Sequence, residues 1–283
     1  MQSIIIQTED QFPLHATLFE PQLSNKCFLL IGGATGVKQH IYFGFAQFMA
    51  DQGFTVLTFD YRGIGLSKPE KMKGFEASMR LWGSVDYRAI TFYIRNHFPE
   101  MHKYYLGHSL GALILGMNVD SHMFEEFVFV ATQKAHVSNL KWKTRMEAYV
   151  GFGLLQPVST QMFGYFPAHR FGLGESLPKG SAFDWRTLIL NKKSTNKLLE
   201  QTLDISKELR QNVLVLSMED DAWVTDKGVH ALLEETYPNM KPTYRKVLVS
   251  ESEAKKIGHI NFFRKYNKKL WNIILNETEW QTL

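Results

Sequence analysis

The sequence predicts an α/β protein built on one mostly parallel sheet with helices on both faces. Three observations carry that prediction. Short β-branched and aromatic runs alternate with longer segments of helical period along most of the 283 residues. Several of those runs are almost continuously apolar, as strands covered on both faces must be. The alternation then stops between about residues 136 and 211, where no strand pattern appears and aromatic, Met and Gly residues crowd together. A chain of this length is long for one small domain and short for two, so one large domain with an insertion is expected.

The strands are expected at 4–7 and 15–20, an opening hairpin around Asp10, and then at 27–31, 55–59, 104–107, 127–131, 213–217 and 245–249. Residues 41–52 place Phe43, Phe45, Phe48 and Met49 on a helix that Gly53 closes, since glycine tolerates the left-handed backbone at a helix end. Segments 79–96 and 110–119 read as two more helices. At 262–276, Phe263, Tyr266, Leu270 and Ile273 recur at intervals of three and four, the pattern of a closing amphipathic helix. Residues 1–135 and 212–283 then form the core, and 136–211 a helical cap. Trp142, Met146, Tyr149, Phe152, Met162, Phe163, Tyr165, Phe166 and Phe171 suit either a lid over one end of the sheet or the small core of a helical subdomain.

Composition narrows the function class. Hydrophobic residues at 45% and charged residues at 21% describe a globular chain, which excludes a disordered one and a disulfide-stapled miniprotein. A net charge of +4 is too small and dispersed for a nucleic-acid footprint. Cys27 is the only cysteine, so neither an intrachain disulfide nor a thiolate metal cluster can form, and its apolar neighbours mark it as a core residue. The amino terminus has no basic segment, and its apolar stretch is too short for a signal peptide. The longest nearly unbroken apolar run, 110–119, is about half of the ~20 residues a membrane span needs. A cytoplasmic protein without a span is the expectation.

Gly107-His108-Ser109-Leu110-Gly111 is the sharpest local signal, a G-x-S-x-G placed where an apolar strand gives way to a helix. A serine on so sharp a turn takes strained backbone angles that lift its hydroxyl above the sheet, and the flanking glycines let strand and helix pass closely. Serine is a weak nucleophile at neutral pH, so it requires a base and a group to orient the base. In this architecture they follow the serine in the order acid, then histidine. His230 sits within the helical pattern of Val229, Leu232 and Leu233 and reads as a surface residue. His259 follows Gly258 in a polar loop after the last strand and is the better base. Glu219, Asp220 and Asp221 all stand just past strand 213–217, and three adjacent carboxylates cannot all face one imidazole. Asp221 is preferred because Val224 and Thr225 lead into the next helix and leave its side chain in the loop; Asp220 is the alternative.

Acyl chemistry also requires two backbone donors for the developing oxyanion. Leu110, following the nucleophile, supplies one, and the turn Gly32-Gly33-Ala34-Thr35-Gly36-Val37 the other. The same glycines could suggest a phosphate loop, but Val37, Lys38 and Gln39 stand where a Walker motif needs Gly, Lys and Ser or Thr. Gly63 and Gly65 near Asp60 imitate only part of a dinucleotide fingerprint.

Gly107–Gly111, the segment Thr58-Phe59-Asp60-Tyr61-Arg62-Gly63-Ile64-Gly65-Leu66-Ser67, the loop Ala34-Thr35-Gly36-Val37 and Ile257-Gly258-His259 together resemble the α/β-hydrolase superfamily, and within it the serine aminopeptidase-like branch. The resemblance covers nearly the whole chain. It is weakest over the insertion, although Phe163-Gly164-Tyr165-Phe166-Pro167 also looks similar to that branch. It implies Ser109 as nucleophile, His259 as base, Asp221 as acid, and the backbone of Thr35 and Leu110 as oxyanion donors, with no cofactor or metal. The Arg62 segment matches a structural turn. Gly33-Ala34 stands where many relatives have His-Gly, which leaves Ala34 as the alternative donor to Thr35.

The expected activity is hydrolysis of an ester-like bond, or an amide or thioester, in a small apolar acyl substrate, of carboxylesterase or lipase type. A peptidase enters through the resemblance alone. An acyltransferase using the same serine and a catalytically silent binding protein on the same fold are the rivals.

Overall fold

The computed structural model describes residues 1–280. Its strands are β1 (Gln2–Gln7), β2 (Pro13–Phe19), β3 (Cys27–Gly32), β4 (Thr55–Phe59), β5 (His102–His108), β6 (Glu126–Val130), β7 (Tyr165–Phe166), β8 (Leu177–Pro178), β9 (Asn212–Met218) and β10 (Lys241–Val247). Eight of them form one sheet in the order β1-β2-β4-β3-β5-β6-β9-β10. The opening hairpin is antiparallel, β2 runs antiparallel to β4, and every pairing from β4 to β10 is parallel. Every residue of β3, β4 and β6 is buried, which is why β3 reads as an unbroken apolar run and the other two as largely apolar ones. Strand β10 exposes Lys241, Tyr244 and Lys246 at the sheet edge, where charge discourages further strand pairing.

The chain winds from β3 outward to β4, then back across to β5 on the other side of β3. The order therefore reverses between β3 and β5, and at their carboxyl ends the diverging connections open a crevice. Both the 32–37 turn and Ser109 lie there. On one flank the helix Phe43–Asp51 packs Phe45 and Phe48 against Trp271 of the carboxyl-terminal segment. Elsewhere the helix Tyr87–His97 meets the 119–123 turn through Tyr87 and Ser121, whose hydroxyls lie 3.1 Å apart. One large apolar cluster fills the sheet's faces, and a second, small one (Val137, Leu140, Ala148, Phe152 and Ile189) lies among residues 137–189. Among the described residues no helix is long and apolar enough to cross a membrane.

Four expectations differ from the observed elements, the first being the last strand, which runs Lys241–Val247 rather than 245–249 and gives way to a 3-10 turn at Val249–Glu251. The closing helix of 262–276 is instead two 3-10 segments, Asn261–Phe263 and Lys265–Trp271, followed by an α-helix only at Asn272–Glu277. Asn267 is the cause: it is buried, and its side chain hydrogen-bonds Ser252 Oγ and the carbonyls of Lys256 and Asn261, so the backbone bends to serve it. The helix of 110–119 stops at Leu113 and continues as the 3-10 turn Leu115–Met117, because Gly116 is pressed against Ser206 and Leu199 and extended Asn118 caps the following turn. Residues 136–211 hold a short antiparallel hairpin, β7 with β8, that is too brief to leave a sequence pattern.

Candidate active site

Ser109 joins β5 to the short helix Leu110–Leu113 with φ 52° and ψ −110°, a conformation that costs a non-glycine residue free energy. Surrounding contacts enforce it. The Ser109 N–H donates to the Val130 carbonyl at 2.9 Å, and Thr132 Oγ1 donates to the Ser109 carbonyl at 2.9 Å. The helix then crosses the end of β3 so closely that a Cβ on Gly111 would lie 2.2 Å from the Gly32 carbonyl oxygen, and one on Gly107 would lie 2.6 Å from the Ala112 nitrogen. Both positions of the motif must be glycine for steric reasons alone.

The three acids after β9 each have a separate task. Glu219 accepts the Val249 N–H at 2.8 Å. Asp220 accepts the N–H groups of Ile257 and Gly258 at 2.9 and 2.8 Å, and so clamps the loop that carries His259. Asp221, fully buried, accepts His259 Nδ1–H on Oδ2 at 2.7 Å and the N–H groups of Trp223 and Val224 on Oδ1 at 2.8 and 3.2 Å. Burial pushes the Asp221 carboxyl up, but the hydrogen bond and charge of His259 and the two backbone donors outweigh it and hold it below the ordinary carboxylate value. With its proton on Nδ1, His259 keeps the Nε2 lone pair for the cavity. His230 lies elsewhere, packed on Tyr244 at 4.4 Å between ring centroids.

Ser109, His259, Thr35 and Leu110 all line one cavity of about 180 Å³ that opens to solvent. Among the described residues, Ser109 and His259 share this cavity without a direct hydrogen bond; such bonds often tighten only when substrate is bound. Its far wall comes from residues 172–189, chiefly Leu173, Trp185, Leu188 and Ile189, with Trp223 beside them. No Asp, Glu, Lys or Arg is among the described lining residues.

Three neighbours of the site escaped the sequence reading. The Ala34 N–H donates to Tyr42 Oη at 2.9 Å, Tyr42 Oη lies 2.8 Å from His108 Nδ1, and His108 Nε2 lies 2.8 Å from the His259 carbonyl oxygen. A carbonyl only accepts, so Nε2 carries the proton, Nδ1 accepts, and Tyr42 donates to it. Burial first, and the nearby His259 second, push the His108 pKa down to about 3, which keeps the ring neutral and this chain of bonds intact. Only the position of His108 inside the serine motif could have drawn attention to it. Nothing marked Tyr42. Gln133 is the third such residue: it donates to the Trp223 carbonyl and accepts the Thr225 N–H at 3.0 Å, fixing the turn after Asp221.

The fold that brings Ser109, His259 and Asp221 together is also the one that comparison with known proteins finds. The family model for the α/β hydrolase fold matches residues 26–152. The chain has the α/β-hydrolase fold. A comparison with curated proteins finds no match. Among solved structures, the α/β-hydrolase fold of this chain is similar to an α/β serine hydrolase without lid from Xanthomonas campestris, at 13% identity, TM-score 0.54, and 97% and 92% of the two chains covered. It is similar also to an esterase of Pyrococcus furiosus, at 14% identity, TM-score 0.58, with 96% and 88% covered. A Butyrivibrio proteoclasticus protein solved with ferulic acid bound aligns at 11% identity, TM-score 0.61, with 96% and 98% covered.

Proposed function

We propose that this protein is a serine hydrolase that cleaves an ester-like bond of a small, uncharged, apolar acyl substrate. The observation that carries the reading is His259, bonded through Nδ1 to buried Asp221 and facing the same cavity as strained Ser109. His259 Nε2 takes the Ser109 proton as Oγ attacks the substrate carbonyl, and Asp221 stabilises the imidazolium without taking the proton itself. The Ala34 N–H is already committed to Tyr42, so Thr35 and Leu110 are the donors assigned to the oxyanion. Losing one such donor costs about 3 kcal/mol of barrier. Collapse breaks the ester C–O bond, His259 returns its proton to the leaving alcohol, and water repeats the sequence to release the acid.

Residues 136–211 are read as the cap of this site, since they supply its far wall. The lining favours a neutral substrate over a peptide amino terminus, because no carboxylate among the described lining residues could hold an ammonium group. The deciding experiment labels purified protein with a fluorophosphonate and follows short p-nitrophenyl esters. Wild type labels and turns over, whereas Ser109→Ala does neither while keeping its circular dichroism. Activity surviving in Ser109→Ala would refute the assignment. Turnover that depends on an added alcohol, amine or thiol would make the enzyme an acyltransferase.

A further inference from the structure

Residues 142–163 form one helix in three parts: α-helical Trp142–Val150, a π-turn at Gly151–Leu155, and α-helical Gln156–Phe163. Its polarity is inverted. The buried side carries Thr144, Ala148, Phe152, Gln156 and Thr160, while the solvent side carries Trp142, Met146, Val150, Leu154, Val158 and Met162. Trp142 is 71% exposed, Leu154 59% and Met162 67%. Residues four apart advance by 400°, so an apolar ladder at this spacing drifts about 40° per step on an α-helix and would wrap away. The π-turn inserts one extra residue per turn midway and brings the ladder back into a single stripe. Meanwhile the buried side leaves Gln156 Oε1 without a hydrogen-bond partner. A monomer in water gains nothing from this arrangement, and an apolar stripe of this extent marks an interaction surface.

Charge identifies the partner. Residues 136–211 hold eleven Lys and Arg against six Asp and Glu, an excess larger than the +4 of the whole chain. Lys141 and Lys143 flank Trp142, Lys141 Nζ reaching back to the Asp221 carbonyl at 3.5 Å, and Arg170 covers Phe163 at the other end of the helix, 5.1 Å from the ring centroid; exposed Glu147 is the one carboxylate within 142–163. None of these three forms an ion pair among the described residues. A second copy meeting this face about a two-fold axis would bring like charges together. An apolar stripe bordered by cations instead matches an anionic bilayer surface, with the helix lying in the interface. We propose that the 142–163 helix docks this protein on anionic phospholipid membranes, independently of whether Ser109 is a nucleophile.

The test is co-sedimentation of the full chain with vesicles of phosphatidylcholine alone or mixed with phosphatidylglycerol. Wild type is expected to sediment with the mixed vesicles and to be released by salt. The double variant Trp142→Glu with Leu154→Glu is expected to lose at least about tenfold in partitioning. Lys143→Gln with Arg170→Gln is expected to lose about fivefold per cation. These side chains are exposed or ring-stacked at the surface, so circular dichroism and Tm verify that the variants stay folded. Ser109→Ala should bind like wild type, which separates this proposal from the hydrolase reading. Equal binding to neutral vesicles, absence of binding, or a dimer on light scattering that the Trp142→Glu/Leu154→Glu variant dissolves without vesicle binding would each overturn it.

Discussion

His108 Nε2 donates to the carbonyl oxygen of His259 at 2.8 Å, so the residue before the strained serine holds the backbone of a histidine 151 positions later. The serine turn and the loop bearing His259 are thereby a single mechanical unit, completed by Tyr42 and Ala34 on the far side of His108.

This coupling predicts an acid-sensitive fold. The unfolded chain binds a proton at His108 near pH 6.5, while the folded state resists until about pH 3. The unfolded state therefore holds more protons throughout that window, and stability from this group, fully present above pH 6.5, is lost as pH falls toward 3. The slope from this one group is at most about 1.4 kcal/mol per pH unit. His108→Gln should be less stable than wild type at neutral pH and show a flatter acid limb. Urea midpoints measured across the acid range for both proteins check this.

Tyr42→Phe removes one oxygen and leaves two buried groups unserved, the Ala34 N–H and His108 Nδ1. A cost of about 1–3 kcal/mol is expected for each buried group left without a partner. If the freed Ala34 N–H reorients the 32–37 turn, kcat for ester hydrolysis falls with KM nearly unchanged. A wild-type stability in this variant would show the relay to be energetically idle.

Asp220 and Asp221 should separate cleanly under mutation. Asp221→Asn keeps the shape but spoils the tautomer of His259, and on the hydrolase reading kcat should drop by about 10⁴-fold with Tm little changed. Asp220→Ala frees the N–H groups of Ile257 and Gly258 instead, so it should cost about 1.5–3 kcal/mol of stability and far less of kcat. Thermal melts paired with steady-state kinetics distinguish the two. The reverse pattern would exchange their roles.

Gly111→Ala places a methyl group 2.2 Å from the Gly32 carbonyl oxygen, and backbone cannot yield there without separating β3 from the helix. Overpacking on this scale should cost at least about 3 kcal/mol. Gly151→Ala, whose Cβ meets no atom within 4 Å, is the control and should be nearly neutral. Denaturant titration of both variants tests the contrast.

The sequence by itself determined the parallel sheet, its buried strands and the serine elbow. Those features are written in local periodicity and in short-range sterics: β3 is apolar throughout and β4 carries nothing more polar than threonine because both faces are covered, and Gly107 and Gly111 flank Ser109 because the turn has no room for a side chain. Local periodicity misled where one buried polar residue outweighed it, as Asn267 did in the expected closing helix. Only the tertiary structure decided which carboxylate meets His259, because Glu219, Asp220 and Asp221 are chemically alike and differ only in the direction each faces once β9 ends. The same holds for Tyr42, which reaches His108 across 66 positions, and for the inverted helix of 142–163, whose apolar ladder looks like core until the fold turns it toward solvent. Hydrogen bonds and burial between distant segments depend on where the chain returns in space, and no window of sequence records that.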